Sequence, residues 1–182
     1  MVEENNSLFQ SDGLKKNQAR LCDPKYVINC SVVTYENNIQ QQGGEVVYYN
    51  KKFVEHAQAI TRRQGRGAPY KSSITFTILH PWGNNVSCEA AYSNKYMPTP
   101  IKLKLKMCEY TKVKWMVNFV KTYSNLSVAC PVPAATYTFS NIELPPKGFP
   151  LPILSGKNQV NYTCYTNEND LLLVLGIIIN VH

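Results

Sequence analysis

Residues 101–107 read IKLKLKM, and this strict alternation decides the fold class. Ile101, Leu103, Leu105 and Met107 share one face, while Lys102, Lys104 and Lys106 share the other. A period of two belongs to a β-strand with one covered face and one wet face. The same period recurs on both sides. In 73–79 (SITFTIL) Ile74, Phe76 and Ile78 oppose Ser73, Thr75 and Thr77. In 136–142 (TYTFSNI) Tyr137 and Phe139 alternate with Thr and Ser, and in 159–165 (QVNYTCY) Val160, Tyr162 and Cys164 oppose Gln159, Asn161 and Thr163.

Further strands are expected at 26–35 and 45–49, with a turn between them at Gly43-Gly44. Residues 113–120 (VKWMVNFV) predict another, with Val113, Trp115, Val117 and Phe119 on one face, and 171–181 predicts a buried strand or strand pair. Residues 53–63 (FVEHAQAITRR) are the one helical candidate, because Phe53, Ala57 and Ile60 fall on one helical face. Pro is concentrated in 131–152, above all in LPPKGFPLP at 144–152, which cannot sit inside a sheet and must loop across an edge or a mouth. Some eight or nine short strands with turns between them predict an all-β sandwich or barrel of two antiparallel layers, with at most one short helix. Residues 1–21 are polar and aperiodic and read as a flexible N-terminal tail, leaving 22–182 as a single domain.

The six cysteines, Cys22, Cys30, Cys88, Cys108, Cys130 and Cys164, are widely spaced and contain no CxxC pair. That pattern suits disulfides better than a zinc site; six buried thiols in a reducing compartment are the alternative. Five N-x-[ST] sequons, at Asn5, Asn29, Asn85, Asn125 and Asn161, support glycosylation and export, with Asn161 on the wet face of its strand. Residues 1–20 hold no apolar core of the kind a secretory signal needs, so the expectation is a mature chain headed by an initiator Met, or one whose first exon lies upstream. The apolar run 171–179 is too short to span a bilayer, which takes about 20 residues. The net charge of +7 comes mainly from lysines dispersed along strands, which argues against nucleic acid as partner. Arg62, Arg63 and Arg66 form the one dense cluster, read as a solvated loop, with an anionic membrane surface as the second reading.

Motifs for chemistry are missing. His56, His80 and His182 are isolated, no metal-binding or cofactor motif is present, and Glu143, Glu168 and Asp170 lack the pairing a glycosidase needs. The expectation is a non-catalytic protein with no cofactor and no metal. The aromatic content, twelve Tyr, six Phe and two Trp, fits either a filled core or a cavity wall.

One ordered series carries more. Cys130-Pro131, a short spacer, an aromatic strand at Tyr137, the Leu-Pro run at 144–152, a turn at 153–156 and an alternating strand to Tyr162 and Cys164 follow one another. This series resembles the C-terminal half of the ganglioside activator family, in the ML-type lipid-recognition superfamily, and its insect chemosensory-B-type secreted branch. It departs from that pattern in having Ala135 where a Gly is usual, and in its cysteine count. The resemblance implies a cup-shaped, immunoglobulin-like β-sandwich with an apolar cavity between its sheets. It also implies Trp115, Val117, Phe119, Tyr137 and Phe139 as cavity lining, and Leu151, Pro152, Ile153 and Leu154 as an apolar mouth loop. The function implied is a secreted, extracellular carrier of a lipid or other hydrophobic molecule, pheromone or hydrocarbon included. An anionic membrane, a protein receptor or a hydrolase would be its partners. Two alternatives stand beside it: a secreted interaction module with a filled core that recognises protein or glycan, and a helper that presents lipid to a hydrolase.

Overall fold

A computed structural model describes residues 18–22, 30–34, 39–144 and 153–181. The described residues form ten β-strands, one 3-10 helix and one α-helix. The strands are β1 (Gln18–Cys22), β2 (Cys30–Thr34), β3 (Ile39–Tyr49), β4 (Val54–Arg63), β5 (Tyr70–Ile78), β6 (Val86–Asn94), β7 (Ile101–Lys106), β8 (Ala135–Ile142), β9 (Gly156–Thr166) and β10 (Leu171–Val181). The 3-10 helix Met107–Lys112 and the α-helix α1 (Lys114–Tyr123) lie between β7 and β8. β1 and β2 pair as a hairpin that sets Cys22 opposite Cys30, and β1 crosses the tail boundary expected at residue 22. The remainder of the expected tail, residues 1–17, lies outside the described residues.

The other strands make two antiparallel sheets, β3-β10-β9-β6-β7 and β4-β5-β8, as the alternating segments require. Ile74, Phe76 and Ile78 of β5 are buried against Leu172, Leu173 and Leu175 of β10 in one apolar cluster, so the inward faces of the two sheets share a core. The outer faces carry the expected polar residues. The three-stranded sheet, for instance, is laced by Thr75–Thr138 and Thr77–Thr136 hydroxyl contacts at 3.2 and 2.8 Å.

Three expectations are corrected. Residues 53–63 are not helical: Phe53 ends a turn and β4 occupies 54–63, with a bulge at His56 and Ala57, where His56 has φ 52°. The bulge shifts the inward parity from Val54 to Ala57, Ala59 and Thr61, so Phe53 and Ala57 both face the core across it as they would on a helix, while Ile60, the third member of the expected helical face, is exposed. Gly43 and Gly44 do not turn the chain; they lie inside β3, beside a second register shift. A Cβ on Gly44 would stand 3.2 Å from Ser72 Oγ, and the Gly44 N–H donates to Thr61 Oγ1 at 2.7 Å, so glycine here permits a close approach of the two sheets. Residues 114–123 are not a strand but α1. Their polar members Lys114, Asn118, Lys121 and Thr122 are exposed at helical spacing, and Met116 is buried on the opposite side.

These corrections define the shape. Where β3 meets β4 and β5, the sheets are pinned by a buried polar chain. Gln41 Nε2 donates to the Ile142 carbonyl at 2.8 Å, Ser72 Oγ donates to Gln41 Oε1 at 3.0 Å, and Thr61 Oγ1 meets Ser72 Oγ at 2.8 Å. At the opposite side, the 3-10 helix packs on β6 and β7 while α1 packs on β8, bridging the gap between the sheet edges. Sheets held together at one edge and bridged at the other leave space between them.

Candidate binding cavity

That space is a cavity of about 280 Å³. Both sheets wall it: Phe76 and Phe139 from one, Ala90, Val160, Tyr162 and Leu175 from the other, with Tyr110 of the 3-10 helix and Trp115, Met116, Phe119 and Val120 of α1 closing the side. No charged residue is among the described residues that line it. Phe76, Phe139 and Phe119 stack in series, with centroids 6.3 and 6.0 Å apart. The lining residues most open to solvent are Ile101 and Leu103, 41% and 37% exposed, which places the opening at the β7 edge. The lysines alternating with them face outward. Lys102 pairs with Glu89 at 3.0 Å, and Lys104 lies over the Tyr165 ring.

Of the residues expected to line a cavity, Trp115, Phe119, Phe139 and Ile153 do so. Val117 does not, because the helix turns it away from the face that carries Trp115 and Phe119. Tyr137 is buried in the core instead, its hydroxyl donating to the Pro133 carbonyl at 2.8 Å. Leu154 stands just past Ile153 and is absent from the wall, while Leu151 and Pro152 lie outside the described residues. Leu144 and Ile153, the described residues on either side of 145–152, both line the cavity. Sequence reasoning missed Met116, Val120 and Tyr110. The signal was there in Trp115, Met116, Phe119, Val120 and Tyr123, which repeat at one, four, five and eight positions.

The turn behind Ile153 hangs on a buried polar network. Asn158 is fully buried; its Nδ2 donates to the Leu154 and Gly156 carbonyls, each at 2.8 Å. Its Oδ1 accepts from Tyr92 Oη at 2.5 Å and from Asn94 Nδ2 at 2.8 Å. Tyr92 Oη in turn accepts from the Leu154 N–H at 3.0 Å. Gly156 has φ 89°, a left-handed conformation that glycine adopts without strain, so the turn can close.

Two disulfides form among the described residues. Cys88–Cys164 joins β6 to β9, and Cys108–Cys130 ties the start of the 3-10 helix to the segment before β8, enclosing α1. The bond from Cys130 to Pro131 is cis, and Val132 pairs with Trp82, whose Nε1 is buried with no hydrogen-bond acceptor among the described residues. Of the sequon asparagines, Asn85 and Asn125 are exposed in loops, Asn161 is half-buried on the outer face of β9, and Asn29 lies outside the described residues. Of the arginines expected in a solvated loop only Arg66 lies in the β4–β5 turn; Arg62 and Arg63 end β4, paired with Lys71 and Tyr70, and all three are exposed, with Arg63 over the Tyr70 ring. No group of His, Cys, Asp and Glu suited to a metal ion occurs among the described residues, and no helix there is long and apolar enough to cross a membrane.

An all-β sandwich with an apolar cavity between its sheets is the class that fold and site define. Residues 85–160, from the start of β6 into β9, match the family described as Protein of unknown function (DUF1091). No curated protein matches the chain.

Proposed function

We propose that this protein is a secreted, non-catalytic carrier that sequesters a lipid or similar apolar molecule between its sheets. The observation that carries the reading is the cavity wall itself, apolar from both sheets and α1 and free of charge among the described residues. An apolar guest gains about 0.8 kcal/mol per methylene removed from water. If one methylene takes roughly the ~30 Å³ share of a water molecule, 280 Å³ holds on the order of nine such groups. That is about 7 kcal/mol gross, or roughly ten micromolar before ordering costs. A longer chain would run out past Ile101 and Leu103 at the mouth. The series from Cys130 to Cys164 that resembles the ML-type superfamily supports the same reading, and the two disulfides suit an oxidising, extracellular setting. The dispersed lysines around β7 would greet anionic head groups at a donor membrane.

The test is native mass spectrometry of protein made through a secretory pathway, paired with uptake of the fluorescent probe N-phenyl-1-naphthylamine. A co-purifying acyl chain and saturable uptake are expected. Neither signal, from folded protein, would remove the carrier reading and favour a module that recognises protein or glycan.

A further inference from the structure

One donor in the cavity wall is left without a partner. Trp82 lines the hollow, is 4% exposed and stacks on Phe76 with ring centroids 6.4 Å apart. Its main chain is satisfied: the N–H donates to the Val132 carbonyl at 2.9 Å and the carbonyl accepts from the Val132 N–H at 2.8 Å. Its side chain is not, because the buried indole Nε1 meets no acceptor among the described residues. An indole N–H can only donate. Left unmade, such a buried bond costs about 1–3 kcal/mol, so an orphan of this kind needs a reason. Two phenols of the same wall do spend their protons, Tyr110 on the Cys88 carbonyl and Tyr92 on Asn158 Oδ1. The bridge to Val132 sets Trp82 just beyond the Ile78–Ala135 pair of β5 and β8, and shortly before β6 begins at Val86. Ile101, at the opening, pairs with Tyr92 towards the other end of β6. Trp82 therefore stands at the floor, remote from the mouth.

From this arrangement we infer that the cavity prefers an apolar guest carrying one carbonyl-type acceptor, such as a chain ketone or aldehyde, and takes it oxygen end first, so that the oxygen accepts from Trp82 Nε1. The inference rests on the carrier reading and names its ligand class. A carbonyl buried in a wall with no donor would lose its hydrogen bonds with water and gain none. Here it finds a donor that is itself unpaired, so one bond repairs two losses, whereas a hydrocarbon repairs neither. Nε1 is closed to water in the empty cavity, so the guest's oxygen reaches it by displacing side-chain atoms. Met107 and Met116 of the same wall are unbranched and re-pack at low cost. Discrimination built on a buried hydrogen bond exceeds what hydrophobic contact alone achieves.

Displacement of N-phenyl-1-naphthylamine by 2-octanone and 2-methyloctane, which share one heavy-atom skeleton, tests this on the intact protein. Trp82→Phe is expected to weaken 2-octanone about ten-fold relative to 2-methyloctane. Tyr162→Phe, which removes a phenol from the same wall, should leave that ratio within two-fold of the wild type. Because Trp82→Phe also removes core volume, the wild-type protein supplies a second reading. Its two tryptophans give two indole N–H signals in a proton–nitrogen correlation spectrum, told apart by Trp115→Phe. The Trp82 signal should move downfield with 2-octanone and stay in place with 2-methyloctane. If that signal ignores the ketone, if Trp82→Phe shifts both ligands by the same factor, or if Tyr162→Phe removes the preference instead, the assignment to Trp82 is overturned while the carrier reading stands. Failure of both molecules to displace the probe from the wild-type protein sinks the carrier reading itself.

Discussion

Asn158 is the side chain on which the rim at Ile153 depends, and its chemistry is asymmetric. Its oxygen takes two donors and its nitrogen serves two carbonyls. Asn158→Asp keeps the shape and the acceptors but turns a second oxygen toward the Leu154 and Gly156 carbonyls. The expected loss is about 3 kcal/mol at neutral pH, from a buried group left unpaired. The carboxyl would be held above its ordinary value by burial and by those carbonyls. The folded state therefore binds the proton more tightly, and stability falls as pH rises from 4 to 7. Urea midpoints at the two pH values read this, and equal losses would mean the donors are assigned the wrong way round. The phenols obey the same rule at the other end of the scale. Desolvation first, then their mutual interaction, raises Tyr162, and desolvation raises Tyr110 to about 12. Their contribution is complete below pH 10, where an unfolded phenol is still protonated, and is lost as pH climbs towards 12. Circular dichroism across this window should show alkaline unfolding, and Tyr110→Phe/Tyr162→Phe should move its midpoint upward. A midpoint that stays put would mean the phenols are not buried together.

α1 is the element that turns a sandwich into a container. Its inward face carries Trp115, Met116, Phe119 and Val120, whereas Val117 points aside. Phe119→Ala is therefore expected to weaken N-phenyl-1-naphthylamine binding at least five-fold, while Val117→Ala changes it by less than two-fold; equal effects would restore the strand reading of this segment. Cys108–Cys130 straps the same element across 22 residues, and in the chain-entropy account opening it costs about 3 kcal/mol. A Cys108→Ser/Cys130→Ser variant should melt correspondingly earlier and hold the probe less tightly, with the sheets retained by far-UV circular dichroism. Retention of wild-type melting would show that the strap restrains nothing. These elements also show what was legible in advance. β5, β7 and β9 were readable because apolar and polar residues alternate along each, and a period of two has no competing explanation there, although in β7 the apolar Ile101 and Leu103 stay exposed at the mouth. α1 was not, because Val113, Trp115, Val117 and Phe119 alternate as a strand would, and only the polar spacing of Lys114, Asn118, Lys121 and Thr122 betrays the helix. β4 failed in the opposite sense, since a bulge breaks the period of two and leaves a helical imprint. Of the site, Trp115, Phe119, Phe139 and Ile153 were legible, but the phenol pair was not. Tyr110 and Tyr162 lie 52 positions apart, and the fold alone brings them together.

At the scale of the whole molecule, two sheets pinned at the β3–β4 edge and bridged by α1 at the other enclose a hollow that a close-packed protein would fill. Lost packing around an apolar void costs on the order of 24 cal/mol per Å³, so stability and capacity oppose each other here. Ala90, on β6, is the smallest side chain in the wall, and Ala90→Leu would place three more carbons inside the hollow. The variant should melt higher than the wild type when empty, because added contacts replace void, and should bind 1-octanol at least ten-fold more weakly, because the guest's space is taken. In the wild type, 1-octanol at 100 times its dissociation constant should stabilise the fold by about 2.7 kcal/mol, a rise of roughly 5–10 °C in Tm. In Ala90→Leu at the same concentration, ten-fold weaker binding should cut that to about 1.4 kcal/mol, half the wild-type rise. Thermal melts of both proteins with and without 1-octanol provide all four values. A variant that melts lower when empty, yet still gains the full shift, would mean that Ala90 faces packed side chains and that the guest, if any, sits elsewhere.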